Sequence, residues 1–323
     1  MSKYKLEKVY DLEEWDRFVG NSPQGTIFSY SYYLKLAVDD WELYWIKKGD
    51  QIKAGLSLVI NPQKNAIIMD DLVIHNGLIF SVNREQKETK ARLARFEITE
   101  FVIEWMSEKF NNIELSLSPR TEDMRPYLWY NYHSAEVSDK FALDLRYTSY
   151  LDISDINKGN EEETNIFRGL ETLRQRNIRE ARREDSKTVT GSNGTIFVQS
   201  YALMMQEKDE PQSNDKLNRL ERLIDGLVEK KKAIVYLTKN REGQNIYISV
   251  FGLDNKRAYY LFGAPVEGAK ERYKGTISFW DAYRDLAERG VNIVDLEGVN
   301  SPQRGWYKLS FGGELISYYQ ISK

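Results

Sequence analysis

Two periodicities alternate along the chain. Short β-rich or alternating runs occur at ELYWIKK (42–48), QIKAGLSLVI (51–60), NAIIMDDLVI (65–74), NIELSLS (112–118) and FALDLRYTSYLDI (141–153). They return at TIFVQSY (195–201), KAIVYLT (232–238), NIYISVFGL (245–253), RAYYLFG (257–263), NIVDLEG (292–298) and ELISYYQI (314–321). Each predicts a strand. Between them the spacing turns helical. Ala94, Ile98, Phe101, Val102 and Trp105 share one face over 94–106. Phe279, Ala282, Tyr283, Leu286 and Ala287 do so over 276–290, where Gly290 stands as a helix C-terminal glycine. The mixture predicts an α/β or α+β protein.

The order of elements repeats. A β-run (65–74) leads through a loop to the helix at 94–106 and then to Asn112-Ile113. A second β-run (257–263) leads through a loop to the helix at 276–290 and then to Asn292-Ile293. Each copy passes a Ser-Pro loop, Ser118-Pro119 or Ser301-Pro302, on its way to a terminal β-run. This suggests duplication. The polar, acidic stretch SDINKGNEEETN separates the halves, so the expected division is a domain at 1–153, a linker at 154–165 and a domain at 166–323, the final strand being free to return to the first.

A length of 323 residues fits two domains. With 46 Lys+Arg against 49 Asp+Glu, the net charge of −3 disfavours a DNA-coating protein. The absence of cysteine excludes a thiolate metal site and a Cys nucleophile, and two histidines leave no His-rich metal centre to expect. No apolar run approaches the roughly 18 residues of a membrane span. The opening MSKYKLEKVYDLEEW has no apolar leader core, so the expectation is a cytoplasmic protein without a transmembrane segment. The 21 Tyr, 13 Phe and 7 Trp can fill cores and can also line a cleft for flat or sugar-like ligands.

Two segments carry candidate chemistry. On a helical wheel of residues 166–184, Phe167, Leu170, Leu173, Ile178 and Ala181 share one arc, and Arg168, Arg176, Arg179, Arg182 and Arg183 share the opposite one. The basic arc reads either as a solvated face or as a phosphate cradle, since guanidinium groups bind phosphate bidentately. Arg174 falls within the apolar arc beside Asn177, where a charge needs a partner or a cleft, and is therefore a ligand-facing candidate. The second segment is NIVDLEGVNSPQRGWYKLSFGG (292–313). A strand ends in Asp295, Glu297 and Gly298; a loop with Asn300, Pro302, Arg304 and Gly305 leads to Trp306, Tyr307 and Lys308. Acids at a strand's carboxyl end and cations just after it can converge on a crevice. The carboxylates could accept a proton from an amine, and the cations could steady an oxyanion or hold a phosphate. Simple pairing of Asp295 or Glu297 with Arg304 or Lys308 is the structural alternative.

GTIFSYSYYLKLA (25–37), TLRQRNIREARRE (172–184) and DLEGVNSPQRGWYKLSFGGELISYY (295–319), in this order and spacing, resemble the FemX/FemAB family of peptidoglycan aminoacyltransferases and polysaccharide-associated acyltransferases. The resemblance implies two tandem GNAT-like domains, each a mixed, mostly antiparallel sheet flanked by helices. It implies amide-bond formation from an activated acyl or aminoacyl carrier. By motif, Lys308 looks like the family lysine that helps acyl transfer. Lys35 looks like a lysine contacting acceptor phosphates, Arg176-Asn177-Ile178-Arg179 matches an Arg-x-Asn-Ile-Arg pattern, and Asp70 or Asp71 looks like an acceptor-side carboxylate. The long helical hairpin of some members is missing, which places the chain nearer the compact FemX type. The GNAT acetyl-CoA loop, Arg/Gln-x-x-Gly-x-Gly/Ala, is half matched by Arg272-Tyr273-Lys274-Gly275-Thr276-Ile277, which ends in a bulky residue.

The expectation is thus an N-acyltransferase acting on an aminosugar nucleotide or peptidoglycan intermediate. Its co-substrate is acyl-CoA or aminoacyl-tRNA, with no tightly bound cofactor, no metal and no DNA partner. The alternative is a GNAT pair that binds nucleotide-sugar or tRNA without catalysis. Asp295 or Glu297 would handle the amine proton and Lys308 would act on the donor side. Of Tyr259 and Tyr260 only one can face a cleft, and Tyr260 is chosen. His75, at the end of DLVIHNGLIF, reads first as structural and second as a ligand contact.

Overall fold

The computed structural model describes residues 3–82, 87–192 and 194–323, and the chain divides into two compact units: Met1–Arg146 with Ser317–Lys323, and Tyr147–Ile316. The elements in chain order are β1 (Lys5–Lys8), α1 (Leu12–Asn21), α2 (Ser31–Ala37), β2 (Trp41–Lys48), β3 (Gln51–Val59), β4 (Ala66–Ile67), β5 (Gly77–Phe80), α3 (Glu88–Lys109), β6 (Asn112–Ser116) and α4 (Arg125–Trp129). They continue with β7 (Ala142–Asp152), α5 (Asn165–Gly169), α6 (Thr172–Arg183), β8 (Lys187–Gly191), α7 (Thr195–Gln206) and α8 (Asn214–Glu229). The last are β9 (Ala233–Lys239), β10 (Asn245–Leu253), β11 (Ala258–Pro265), α9 (Lys274–Glu288), β12 (Ile293–Asp295), α10 (Pro302–Leu309) and β13 (Glu314–Ser322). Strands β7 and β13 each run from one unit into the other along the chain.

In the first unit β1, β2, β3 and β5 form an antiparallel sheet in that order. β4 runs parallel to β6, and the end of β13 pairs antiparallel with β6, Gln320 opposite Ser116. Helix α3 buries Ile98, Val102, Ile103 and Met106 in a core with Ile46 and Leu56. In the second unit the order is β7-β12-β11-β10-β9-β8. Only β11 and β12 are parallel there; their neighbours are antiparallel. Helix α9 buries Phe279 and Tyr283 against Phe251 of β10, and Trp280 against Phe167 of α5.

The repeat read in the sequence has a physical counterpart. Each unit contains one parallel strand pair joined by a long helix, β4–α3–β6 in the first and β11–α9–β12 in the second. A parallel pair cannot be closed by a tight turn, so the helix is the crossover that the geometry requires. The second unit is thus a mixed, mostly antiparallel sheet with helices packed on it, and the first combines the antiparallel β1-β2-β3-β5 sheet with the mixed strands β4, β6 and the end of β13.

Four local expectations are corrected. TIFVQSY is the start of helix α7, not a strand. Its β-branched and aromatic residues are overruled by the helix formers that follow and by packing, Phe197 stacking on Tyr201 one turn on and on Phe262 of β11. In 65–74 only Ala66–Ile67 is a strand, because the Asp70 carboxylate accepts the Leu72 amide (2.9 Å) and closes a turn. The basic helix expected over 166–184 is two helices. Leu170 is extended between α5 and α6, and the Gln175 side-chain amide donates to the carbonyls of Phe167, Arg168 and Leu170, which the break leaves open. Leu173, assigned to the apolar arc, is 46% exposed. Lastly, residues 302–309 form helix α10, with Pro302 in its first turn, where the missing amide hydrogen costs nothing.

The acidic stretch 154–165 lies inside the second unit. Its Glu161 carboxylate accepts from Trp280 Nε1 (2.8 Å), Arg182 (2.8 Å) and Arg284 (3.1 Å). Trp280 is fully buried. Trp280→Ala should therefore lower unfolding stability by about 3–5 kcal/mol, through the lost packing and the opened cavity. Urea denaturation followed by far-UV circular dichroism measures it, and a loss under 1 kcal/mol would contradict this packing.

Candidate active site

The acids of the second segment sit where β12 ends. Asp295 is the last residue of β12, flanked by Tyr150 of β7 and Tyr259 of β11 in register. It is fully buried. One carboxylate oxygen, Oδ1, accepts from the Thr148 hydroxyl and from the Glu297 amide (3.0 Å); the other, Oδ2, has no hydrogen-bond partner among the described residues. The chain then turns sharply, Glu297 taking a positive φ of 57°. That conformation is unusual for a side-chain-bearing residue and marks a built turn. It leaves the Glu297 carboxyl buried, with both oxygens unpartnered among the described residues.

Helix α10 brings Lys308 back to this turn. Its ammonium donates to the Gly298 carbonyl (3.2 Å) and lies 5.2 Å from the centre of the Tyr260 ring. The close return depends on Gly305, because a Cβ there would stand 2.4 Å from the Val299 carbonyl oxygen. Asn300 fixes the intervening loop, accepting from the Tyr147 amide (2.7 Å) and donating to the Tyr147 carbonyl (2.9 Å). It is a structural pin in this arrangement.

Burial dominates the electrostatics of the trio. It pushes Asp295 up to about 6, against the Thr148 and Glu297 hydrogen bonds and the charges of Arg257 and Lys308. It pushes Glu297 further up, well above the usual carboxyl range, and the Asp295 charge adds to the rise. It pushes the Lys308 amine down to about 8, although Glu297 and Asp295 pull the other way. At neutral pH the favoured state is an ionised Asp295 beside a protonated Glu297, with Lys308 able to lose its proton under mild conditions. Such a set can accept a proton and place positive charge on a developing oxyanion.

A second polar cluster lies at the start of α9. Arg174 Nη1 donates to the Thr276 hydroxyl (2.7 Å), as does the Asn177 amide (3.2 Å). The guanidinium carbon of Arg174 lies 4.8 Å from the Tyr307 ring centre. This answers why Arg174 lies on an apolar stripe: it reaches across to the first turn of α9. A Cβ at Gly275 would meet the Tyr307 hydroxyl at 2.8 Å. The Tyr247 hydroxyl stands 3.4 Å from that of Tyr260. Lys274 donates to the Ala269 carbonyl (2.7 Å), and Arg272 is exposed. A cavity of about 340 Å³ lined by Tyr147, Pro302, Trp306, Leu309 and Leu315 flanks α10.

The other sequence candidates have surroundings of their own. Arg179 pairs with Glu162 (2.7 Å), and Arg182 pairs with Glu161 (2.8 Å) and Asp281 (2.7 Å), so two arginines of the basic arc are engaged by acids of their own unit. Arg176 and Arg304 are exposed. In the first unit Lys35 is exposed in the last turn of α2, Asp71 is exposed, and Asp70 closes the turn described above. The Tyr33 hydroxyl of α2 donates to the Leu72 carbonyl (2.8 Å), which ties Lys35's helix to that turn. His75 is buried edge-on between Phe28 and Tyr318, in a packing environment. Thr148, Tyr247 and Arg257 are not marked by any local motif, each reaching its cluster from an element distant in sequence, whereas Thr276 stands in the half-matched loop 272–277 but is not singled out there.

No family model matches the sequence, and no curated protein matches it. Solved structures do. The structure of FemX superposes with a TM-score of 0.65 at 12% identity, over 97% of this chain and 96% of that one. The chain has the FemX fold. L-PGS from Bacillus licheniformis matches with a TM-score of 0.52 at 13% identity, over 97% of this chain and 92% of that one. A tandem GNAT protein from the clavulanic acid biosynthesis pathway matches with a TM-score of 0.52 at 10% identity, over 99% and 97%. The tandem GNAT architecture that the resemblance implied is thus the architecture observed, and no helix among the described residues is long and apolar enough to cross a membrane.

The Lys308 environment predicts a signature in stability. The amine binds its proton more weakly in the folded chain than at its ordinary value of 10.5. The resulting penalty is complete below about pH 8 and is relieved as pH rises from there to about 10.5. Between pH 8 and 10 the native protein should therefore gain stability relative to Lys308→Met, measured by urea midpoints at each pH. Parallel curves would put the amine in water.

Proposed function

We propose that the chain is an N-acyltransferase that forms an amide bond, moving an acyl or aminoacyl group from an activated carrier to an amine of a cell-envelope precursor, an aminosugar nucleotide or a peptidoglycan intermediate. The observation that carries this reading is the cluster at the end of β12 of two buried acids, Asp295 and Glu297, with the part-buried amine of Lys308. The shared fold with FemX and with a tandem GNAT protein supports the same class of reaction.

In this reading the acceptor amine attacks the carbonyl carbon of an ester or thioester. A C–N bond forms, the carbonyl π electrons move to oxygen, and the C–O or C–S bond to the carrier then breaks. Lys308 offers its positive charge to the developing oxyanion. Asp295, the acid favoured as ionised at neutral pH, takes the proton that the amine gives up, directly or through water. Glu297, protonated, keeps a second negative charge out of the site. Arg174 of α6 and Tyr307 of α10, which meet the first turn of α9, hold the donor. Among the exposed cations, Arg176 is a candidate for acceptor phosphates on the second unit and Lys35 a separate candidate on the first. The carrier is acyl-CoA or aminoacyl-tRNA.

Incubation with acetyl-CoA or a charged-tRNA mixture and with nucleotide aminosugars, read by mass spectrometry, tests this. The expected result is a mass gain on one acceptor, reduced about 10²–10⁴-fold by Lys308→Ala. A tRNA donor is distinguished by turnover that falls steeply with salt. Ligand binding without any transfer, or transfer unaffected by Lys308→Ala, would contradict the reading.

A further inference from the structure

A second cation, Arg257, lies on the face of the sheet that carries the Asp295 carboxylate. Three strands bring it there. Register places Tyr150 of β7, Asp295 of β12 and Tyr259 of β11 in one row, so their side chains share a face of the sheet. Arg257 precedes Tyr259 by two residues and points to that same face. Its guanidinium carbon lies 4.6 Å from the Tyr150 ring centre and 5.9 Å from that of Tyr259. The group therefore spans the two tyrosines that bracket Asp295. Arg257 Nη1 is buried with no hydrogen-bond partner among the described residues, as is Asp295 Oδ2.

The turn before β11 is built to hold Arg257 in place. The Asp254 carboxylate accepts the amides of Lys256 (2.7 Å) and Arg257 (2.9 Å) through one oxygen and the Tyr259 hydroxyl (2.6 Å) through the other. Tyr260, the next residue, points the other way and lies under Lys308. Arg257 and Lys308 thus lie against tyrosines on opposite faces of β11.

We infer that Arg257 is a positioning residue, the standing counter-ion that keeps Asp295 ionised so that Lys308 need not serve as its permanent partner. Selection between the two acids comes from elsewhere: Asp295 accepts from Thr148 and from the Glu297 amide, whereas Glu297 accepts from no group among the described residues. The charged and titratable groups around Asp295 are Tyr150 from β7, Arg257 and Tyr259 from the β11 side, Glu297 beyond β12, and Lys308 from α10, with Asp254 and Lys256 in the adjoining turn. The field of Arg257 favours the charged form of both acids. This role refines the proposed transferase reading, in which Asp295 receives the amine proton.

The test reads Asp295 in the resting protein, and so is independent of whether a donor is identified. Aspartate labelled with ¹³C at the carboxyl carbon is followed by NMR against pH, Asp295→Asn supplying the assignment. Arg257→Met should raise the Asp295 midpoint by one unit or more, and Arg257→Lys, which keeps the charge, should restore most of the difference. Arg257→Gln, polar and closer in shape, repeats the measurement if the Met variant does not fold. A midpoint within 0.2 units of the native value in either neutral variant overturns the inference, as does a Lys variant that behaves like Met. A normal titration shift in a protein that transfers nothing would leave this inference standing and remove the transferase reading alone.

Discussion

Two buried acids at the end of one three-residue strand, with a part-buried amine brought over them by α10, are the constraint on which the second unit turns. Moving even one such charge out of solvent costs several kcal/mol unless partners replace the lost hydration. Here replacement is incomplete: Asp295 has two hydrogen bonds on one oxygen, and Glu297 has none among the described residues. The least costly distribution leaves one acid neutral and weakens the hold of Lys308 on its proton. A group that is merely structural gains nothing from such an arrangement. Proton transfer near neutral pH requires groups shifted in these directions.

The surrounding architecture supplies the geometry. β12 lies between β7 and β11, so Asp295 is enclosed on both sides by strands. The turn at Glu297 and the close return past Gly305 bring α10, and with it Lys308, back over the strand end. The start of α9 adds Thr276, which collects Arg174 and Asn177 from α6. Each of these depends on the β11–α9–β12 crossover, whose counterpart β4–α3–β6 organises the first unit on its own terms.

Legibility in the sequence followed the range of the interaction. Helices α3 and α9 were readable because their apolar residues recur at helical spacing, and Asp295, Glu297 and Lys308 stood out as acids and a cation around one strand end. The segment 195–201 misled because its local propensity for strand was outweighed by contacts with Tyr201 and Phe262, the second of which is distant in sequence. The break at Leu170 depends on a side chain, Gln175, whose hydrogen bonds cannot be read from periodicity. Arg257 was invisible because its meaning lies in the register of β11 against β12, which places Tyr259 beside Asp295. Arg179 and Arg182 looked free for phosphate because Glu161 and Glu162 were read as linker.

The central claim is that burial has loosened the proton on Lys308. Competitive acylation by acetic anhydride across a range of pH, with the Lys308 peptide quantified by mass spectrometry against exposed lysines, measures this directly in the native protein. Half-maximal reactivity of Lys308 near pH 8 is the predicted result; a midpoint at the ordinary lysine value of 10.5 would contradict the account.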